Sequence, residues 1–317
     1  MKYLVTGAAG FIGFNFAKFL LKKNIKIIGV DNLNNYYSTK LKNDRIYQLK
    51  KFKKFKFFKF DLRDQNKLNK VFNKNKFNAV FHFAAQAGVR YSVDYPRKYI
   101  DSNINGFFNI LEQIKNKKVK KFFYASSSSV YGNSKLFPLK EKNLLFPTNT
   151  YSLSKKFNED LSKIYCEFYK IKAIGIRFFT VYGEWGRPDM FYSKVFDSAF
   201  KNQKLFINNY GNHSRDFTYI KDVNLILFKM LRSSKMPRNE ILNICSNNPI
   251  NILKLVRIVE KYSKKIRLYK RKIQKADVLK THGDNKKIIK YKLIKKFTPI
   301  EEGIKNTLEW YKKYNNF

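Results

Sequence analysis

The chain has 317 residues, with 66 Lys or Arg against 23 Asp or Glu, a formal net charge of +43 at pH 7. With 44% hydrophobic and 17% aromatic residues, it carries too much core-forming side chain to be intrinsically disordered, whatever its charge. Its length suits two domains, or one large α/β unit with an appended lobe.

In chain order, Tyr3–Thr6 reads as a short buried strand that ends at a glycine turn. A helical pattern follows through Phe14, Ala17, Phe19, Leu20 and Leu21. A second strand, Ile25–Val30, ends at Asp31, and a third, Phe55–Phe60, ends at Asp61. Further strands are expected over Ala79–Phe83, Lys121–Ala125 and Ala173–Phe178, most of them separated by helical stretches. Such alternation predicts an α/β fold of the Rossmann type, a doubly wound parallel sheet covered on both faces, whose ligands gather at the carboxyl ends of the strands. Beyond Phe178 the pattern loosens through Gly183–Asp189 and Asn208–Asn212, and amphipathic helices are expected around Ile252–Tyr262 and Ile304–Tyr314. The expected division is a dinucleotide-binding domain over 1–177 and a smaller lobe over 178–317, parts of which return to the first domain.

The basic residues are 12 Arg and 54 Lys, spread from Lys2 to Lys313 in a chain also rich in Asn, Ile, Phe and Tyr. All five of the abundant types have A/T-rich codons, whereas a nucleic-acid binder concentrates its cations on one face. Compositional bias is therefore favoured over a nucleic-acid partner. The densest run, Lys50–Phe60, reads as a helix end passing into an alternating strand. Cys166 and Cys245 make no disulfide framework, and neither they nor His82, His213 and His282 have metal-ligand spacing, so buried thiols and no metal are expected. No apolar run approaches the roughly 18 residues of a membrane span. The N-terminus lacks a signal-peptide pattern, so a cytoplasmic protein without a membrane partner is expected.

Gly7, Gly10 and Gly13 stand at three-residue spacing between a strand and a helix, where glycine permits a tight turn and a pyrophosphate meets free N–H groups. Asp31 ends the next strand 18 residues after Gly13, near the position of an acidic residue on an adenosine ribose; an acid there favours NAD over NADP. Tyr151 and Lys155 are four apart, on one helix face. A free Tyr, with a pKa of about 10, is a poor base, but a nearby ammonium favours its phenolate. Ser126–Ser129 continue a buried strand into a run of hydroxyls suited to a substrate hydroxyl. His82, at a strand end, reads as packing.

These motifs, with Val130-Tyr131-Gly132 and Arg215–Tyr219, resemble the extended short-chain dehydrogenase/reductase superfamily in its nucleotide-sugar epimerase and dehydratase branch. The stretches His82–Ser92, Arg177–Gly183 and Trp185–Met190 are more narrowly similar to UDP-glucuronate 4-epimerases. The resemblance runs from residue 1 to about 285. It implies a Tyr151 base, a Lys155 that holds the nicotinamide ribose, and Ser127 on the sugar 4-oxygen. It further implies an NAD site made of Gly7, Gly10, Phe11, Ile12, Gly13, Asp31, Asn32, Asp61, Leu62, Phe83, Ala84, Ala85, Gln86 and Ser126 with Tyr151 and Lys155. It implies a UDP-sugar site drawing on Arg90, Ser127, Ser128, Thr180, Arg187, Arg215 and Asp277, and a homodimer serving polysaccharide synthesis.

Related 4,6-dehydratases carry an Asp-Glu pair where this chain has Ser128 and Ser129, and related decarboxylases carry Glu at the second position. Elimination needs an acid and base beyond the Tyr, so simple 4-epimerisation is favoured. For a uronate carboxylate, Ser128, Thr180 and Arg187 are the candidate donors, although Arg187 in its Gly-Arg-Pro turn also suits a structural role. Gln274-Lys275-Ala276-Asp277 departs from the family's Gln-Pro-Gly-Asp. The alternatives are a UDP-glucose/UDP-galactose 4-epimerase or, in another class, a basic nucleic-acid-binding protein on the same fold.

Overall fold

The computed structural model describes residues 1–274 and 278–317. The chain divides into two compact units. The first comprises Met1–Gly132, Asn143–Phe178 and Leu227–Leu242; the second comprises Asn133–Lys142, Phe179–Ile226 and Asn243–Phe317. A boundary at 177/178 therefore describes the chain only in outline, because a ten-residue piece before it belongs to the second unit.

Six strands of the first unit pair in parallel: β1 (Lys2–Thr6), β2 (Lys26–Asp31), β3 (Phe55–Lys59), β4 (Ala79–His82), β5 (Phe122–Ser127) and β6 (Ala173–Phe178). The remaining strands are β7 (Thr180–Tyr182), β8 (Leu205–Ile207), β9 (Ser214–Tyr219), β10 (Asn239–Ile244), β11 (Pro249–Asn251) and β12 (Leu268–Lys270). The main sheet has the order β10-β6-β5-β4-β1-β2-β3. Its strand order reverses between β1 and β4, and the Rossmann-type expectation is met. The seventh strand, β10, went unread in the sequence. Its segment Asn239–Ile244, Asn-Glu-Ile-Leu-Asn-Ile, has neither a continuous apolar run nor a regular alternation and lies 61 residues beyond the preceding strand of the sheet.

Burial follows position in the sheet. β4 and β6 are buried throughout, as continuous apolar runs in a parallel sheet should be. β3 is an edge strand with Lys56 and Lys59 exposed, so the densest lysine run ends where unpaired backbone is best protected by charge. An aromatic core joins the sheet to the helix Phe11–Lys22: Phe16 meets Phe81 at 4.7 Å, and Phe81 stacks on Phe123 at 4.7 Å.

The helix Thr150–Tyr169 carries the Tyr/Lys pair in its first two turns. Its start is set by a reciprocal cap: Asn149 Oδ1 accepts from the Ser152 N–H, and Ser152 Oγ accepts from the Asn149 N–H. The helix packs against β5 and the 3₁₀ turn Ser128–Tyr131. It also packs on a π-helical stretch, Ile100–Asn105, that leads into the helix Gly106–Asn116.

In the second unit, β7 runs parallel to β9 and β11 antiparallel to it, while β12 pairs with β8. The helices Ile252–Glu260 and Ile300–Asn315 lie near their expected places. Asp216, between Arg215 and Phe217, is buried and accepts from the Ser246 N–H and hydroxyl and from the Gly283 N–H. Both cysteines are free and buried. Among the described residues no helix is long and apolar enough to cross a membrane.

Candidate active site

The dinucleotide end begins where β1 stops. Gly7 has φ +70°, and a Cβ there would lie 2.6 Å from the Ala84 nitrogen; a Cβ on Gly13 would lie 2.1 Å from the Gly7 carbonyl oxygen. Only glycine lets the first helical turn and the segment after β4 close on this turn. The helix Phe11–Lys22 starts at Gly10, which offers no side-chain cap, so its first N–H groups suit a phosphate anion. At the end of β2, Asp31 Oδ2 accepts from the Ala9 N–H (3.0 Å) and Oδ1 from the Leu33 N–H (2.8 Å). Asn32 Nδ2 donates to Asp61 Oδ2 at 2.9 Å, and Asp61 also accepts from Arg63. Asn32, Asp61 and Gln86 line one open cleft. An acid at the end of β2, a cap-free helix start and a glycine cradle fit NAD.

Phe83, Ala84 and Ala85 follow β4, and Leu62 is buried after β3. Asn103, unforeseen from the sequence, fastens this loop. Its side chain accepts from the Gln86 N–H (2.7 Å) and donates to the Gln86 carbonyl (3.1 Å) and to Ser154 Oγ (3.0 Å). Ser154 in turn donates to the Tyr151 carbonyl. A 1% exposed Asn inside a π-helical turn thus ties the loop after β4 to the turn bearing Tyr151.

Tyr151 lies in the first turn of the helix Thr150–Tyr169, and Lys155 follows one turn later with its ammonium 6.0 Å from the Tyr151 ring centroid. Lys155 is 2% exposed and donates to the Ala125 carbonyl at the end of β5 (2.8 Å). Burial pulls its pKa down to about 8, against the opposing charge of Glu159. Ser127 Oγ, at the tip of β5, accepts from the Ser129 N–H (3.1 Å) and hydroxyl (2.9 Å). Neighbouring Ser126 is buried and its hydroxyl donates to Glu159, which leaves only its backbone for a cofactor.

Beneath this lies a network that the sequence did not reveal. Arg177 forks onto Glu159 (2.8 and 2.7 Å) and donates to the Tyr131 hydroxyl (2.8 Å). A buried carboxylate needs this pairing. The signal was there in part, since Glu159 is one turn beyond Lys155, but its partner comes from β6.

His82 is a packing residue. Its Nδ1 lies 2.8 Å from Thr6 Oγ1, the ring is 2% exposed, and burial, helped by the charge of Lys155, pushes its pKa down to about 3. An unfolded His protonates near pH 6.5. Between 6.5 and 3 the unfolded chain therefore binds the extra proton, and this contribution to stability is lost as pH falls. His82→Asn should melt with a shallower decline between pH 6.5 and 4 than the parent protein, as measured by circular dichroism. An unchanged slope would show that His82 does not carry this acid sensitivity.

Of the expected substrate residues, Ser127, Ser128 and an exposed Arg90 belong to the first unit. Thr180, Arg187 and Arg215 belong to the second: Thr180 opens β7 and pairs with Phe217 of β9, the strand that carries Arg215. Arg215 donates to the carbonyls of Ser214 and Leu279. Arg187 forks onto Asp189, and its carbonyl accepts from Ser193. Asp277 lies outside the described residues. Among the described residues no group of three His, Cys, Asp or Glu is placed to hold a metal.

Known proteins match along nearly the whole chain. The model of the NAD dependent epimerase/dehydratase family matches residues 3–245. A UDP-glucuronate 4-epimerase of Thermodesulfobacterium geofontis is 40% identical over 317 residues, covering 98% of this chain and 96% of the relative. The crystal structure of UDP-glucuronic acid 4-epimerase from Bacillus cereus, in complex with UDP-glucuronic acid and NAD, superposes with a TM-score of 0.92 at 30% identity, covering 99% and 100% of the two chains. That of a UDP-glucose 4-epimerase from Thermotoga maritima, with UDP-glucose, gives 0.91 at 25% identity and the same coverage. Matched by the family model over residues 3–245 and by relatives along nearly its whole length, the chain belongs to the NAD-dependent epimerase/dehydratase family.

Proposed function

We propose that the protein is an NAD-dependent UDP-sugar 4-epimerase whose substrate pair is UDP-glucuronate and UDP-galacturonate. The observation that carries the reaction type is the buried Lys155, one turn from Tyr151, beside a strand tip that presents Ser127, Ser128 and Ser129 and no carboxylate. NAD held at the glycine turn would supply a reversible hydride acceptor for C4. Tyr151 takes the proton of the 4-hydroxyl, its phenolate favoured by the Lys155 ammonium. Ser127 hydrogen-bonds the 4-oxygen and holds it as its charge changes. With no acid at Ser128 or Ser129 to drive loss of water, and Ser129 where related decarboxylases carry Glu, reduction of the 4-keto sugar is favoured over elimination or loss of CO2, from the same face or, after turning over, from the other.

The uronate reading is supported by the donor types at Ser128, Thr180 and Arg187 and by the two UDP-glucuronate 4-epimerases similar to this chain. One observation leans to the neutral-sugar alternative: Arg187 is already neutralised by its fork with Asp189. Purified protein incubated with UDP-glucuronate and UDP-glucose side by side, with products separated or followed by NMR, distinguishes the two. UDP-glucuronate should be converted, and UDP-glucose at least about a hundredfold more slowly, because a site built for the two oxygens of a carboxylate leaves hydrogen-bond donors unpaired on the single oxygen of a hydroxymethyl group. Preferential conversion of UDP-glucose would overturn the uronate assignment.

A further inference from the structure

Among the described residues the fold buries four Lys or Arg side chains: Lys42 (5% exposed), Arg45 (0%), Lys155 (2%) and Arg177 (3%). Lys155 and Arg177 belong to the catalytic helix and its support. Lys42 and Arg45 take no part in that machinery. They stand three apart on the helix Thr39–Lys50, so they project from one side of it. Burying two cations is costly unless each finds strong acceptors.

Their partners are specific. Arg45 Nη1 donates to the Ala9 carbonyl inside the glycine turn and to the Tyr37 hydroxyl, both at 2.7 Å. Lys42 Nζ donates to the Asn34 carbonyl (2.6 Å) and to Asn34 Oδ1 (2.7 Å), and sits 4.5 Å from the Tyr37 ring centroid. The two N–H groups that hold Asp31 belong to Ala9 and Leu33. Arg45 therefore fixes the same residue that donates to one Asp31 oxygen, and Lys42 fixes the residue next to the donor for the other. Tyr37 lies against both cations and keeps the pair in register.

We propose that Arg45 and Lys42 are specificity-determining residues for the cofactor, holding the Ala9 and Leu33–Asn34 backbone so that Asp31 is presented, ionised, to the adenosine ribose and selects NAD over NADP. Burial raises the Asp31 carboxyl above its usual range; the Leu33 N–H, the Lys42 charge, the Ala9 N–H and the Arg45 charge oppose that rise. An ionised Asp31 accepts from the ribose hydroxyls and repels a 2′-phosphate. Loss of either cation frees the Ala9 or Leu33–Asn34 backbone and lets the carboxyl tilt, so NAD loses its acceptor while NADP, which never used it, loses a repulsion. Arg45 and Lys42 are positioning residues here and touch no reacting atom. The inference holds for any sugar substrate.

The test reads bound nucleotide, not turnover. Purified protein and its Arg45→Met, Arg45→Lys, Lys42→Met and Tyr37→Phe variants are equilibrated with mixtures of NAD and NADP. They are then gel-filtered, and each nucleotide is quantified after extraction. The parent protein should retain NAD against a large excess of NADP. In Arg45→Met and Lys42→Met the NAD/NADP ratio should fall about tenfold or more, the loss of one charge-assisted hydrogen bond, with Arg45→Lys and Tyr37→Phe intermediate. A purely structural role would lower the melting temperature and both affinities while leaving the ratio unchanged; that result overturns the proposal. If Arg45→Met does not fold, unchanged ratios in Lys42→Met and Tyr37→Phe overturn it equally. A parent protein that retains no nucleotide would instead contradict the cofactor itself.

Discussion

Tyr151→Phe is expected to reduce epimerisation by about 10³-fold, within the usual range for loss of a general acid–base group, while the purified variant keeps its NAD. The substitution removes only the phenolic oxygen. The ring, whose edge-on packing on Tyr99 has a centroid distance of 6.0 Å, stays in place. The glycine turn, Asp31 and the Lys155 anchor on Ala125 are untouched, so cofactor content and melting temperature should match the parent protein. Product formation followed by NMR, together with extracted NAD per chain, separates the two effects. Retained turnover would reject Tyr151 as the base, and lost NAD would show that the phenol holds the cofactor rather than the proton.

The second large effect is on stability. Arg177→Met leaves the Glu159 carboxylate buried with, among the described residues, the Ser126 hydroxyl as its remaining side-chain hydrogen-bond donor. Breaking a buried pair by removing one partner costs about 3–5 kcal/mol, and for a chain of this size that is a fall of roughly 10 °C in melting temperature. Replacing both partners, as in Glu159→Leu with Arg177→Met, should recover most of the loss, because no unpaired charge remains. Thermal melts of the two single variants and the double variant form the cycle. If the double variant melts as low as Arg177→Met alone, the pair does not act as a unit. Glu159 also opposes the depression of the Lys155 pKa. Activity of the double variant should therefore fall off at lower pH than that of the parent protein, as Lys155 loses its proton more easily.

The charge of +43 reads differently once burial is known. Of 54 lysines only Lys42 and Lys155 are buried among the described residues, and both are hydrogen-bonded to backbone carbonyls around the nucleotide or catalytic elements. The other described lysines are at least partly exposed, where they keep like molecules apart and add to the field felt by an anionic substrate.

What was legible in the sequence was local. Glycine at 7, 10 and 13 announces a turn because only glycine adopts φ +70° at low cost and lets two backbones touch. Tyr151 and Lys155 announce one helix face because the α-helical period brings residues four apart together. Apolar runs announced most of the strands of the main sheet because buried parallel strands have no polar face to interrupt them, and alternation announced the edge strand β3, whose Lys56 and Lys59 face water. The missing strand, β10, follows 61 residues after its neighbour, and the ten residues Asn133–Lys142 leave the first unit for the second. Neither fact has a local signature. Likewise Asn103 against Gln86, Arg177 against Glu159 and Arg45 against Ala9 join residues 17, 18 and 36 apart. Sequence alone determined which residues can turn, pair on a helix or run through a core, since those properties belong to the backbone and its nearest neighbours. Tertiary structure decided which polar side chains are taken out of water and so must find partners, and desolvation, a property of the packed whole, is what turns an ordinary Asn, Glu, Lys or Arg into a determinant of the site.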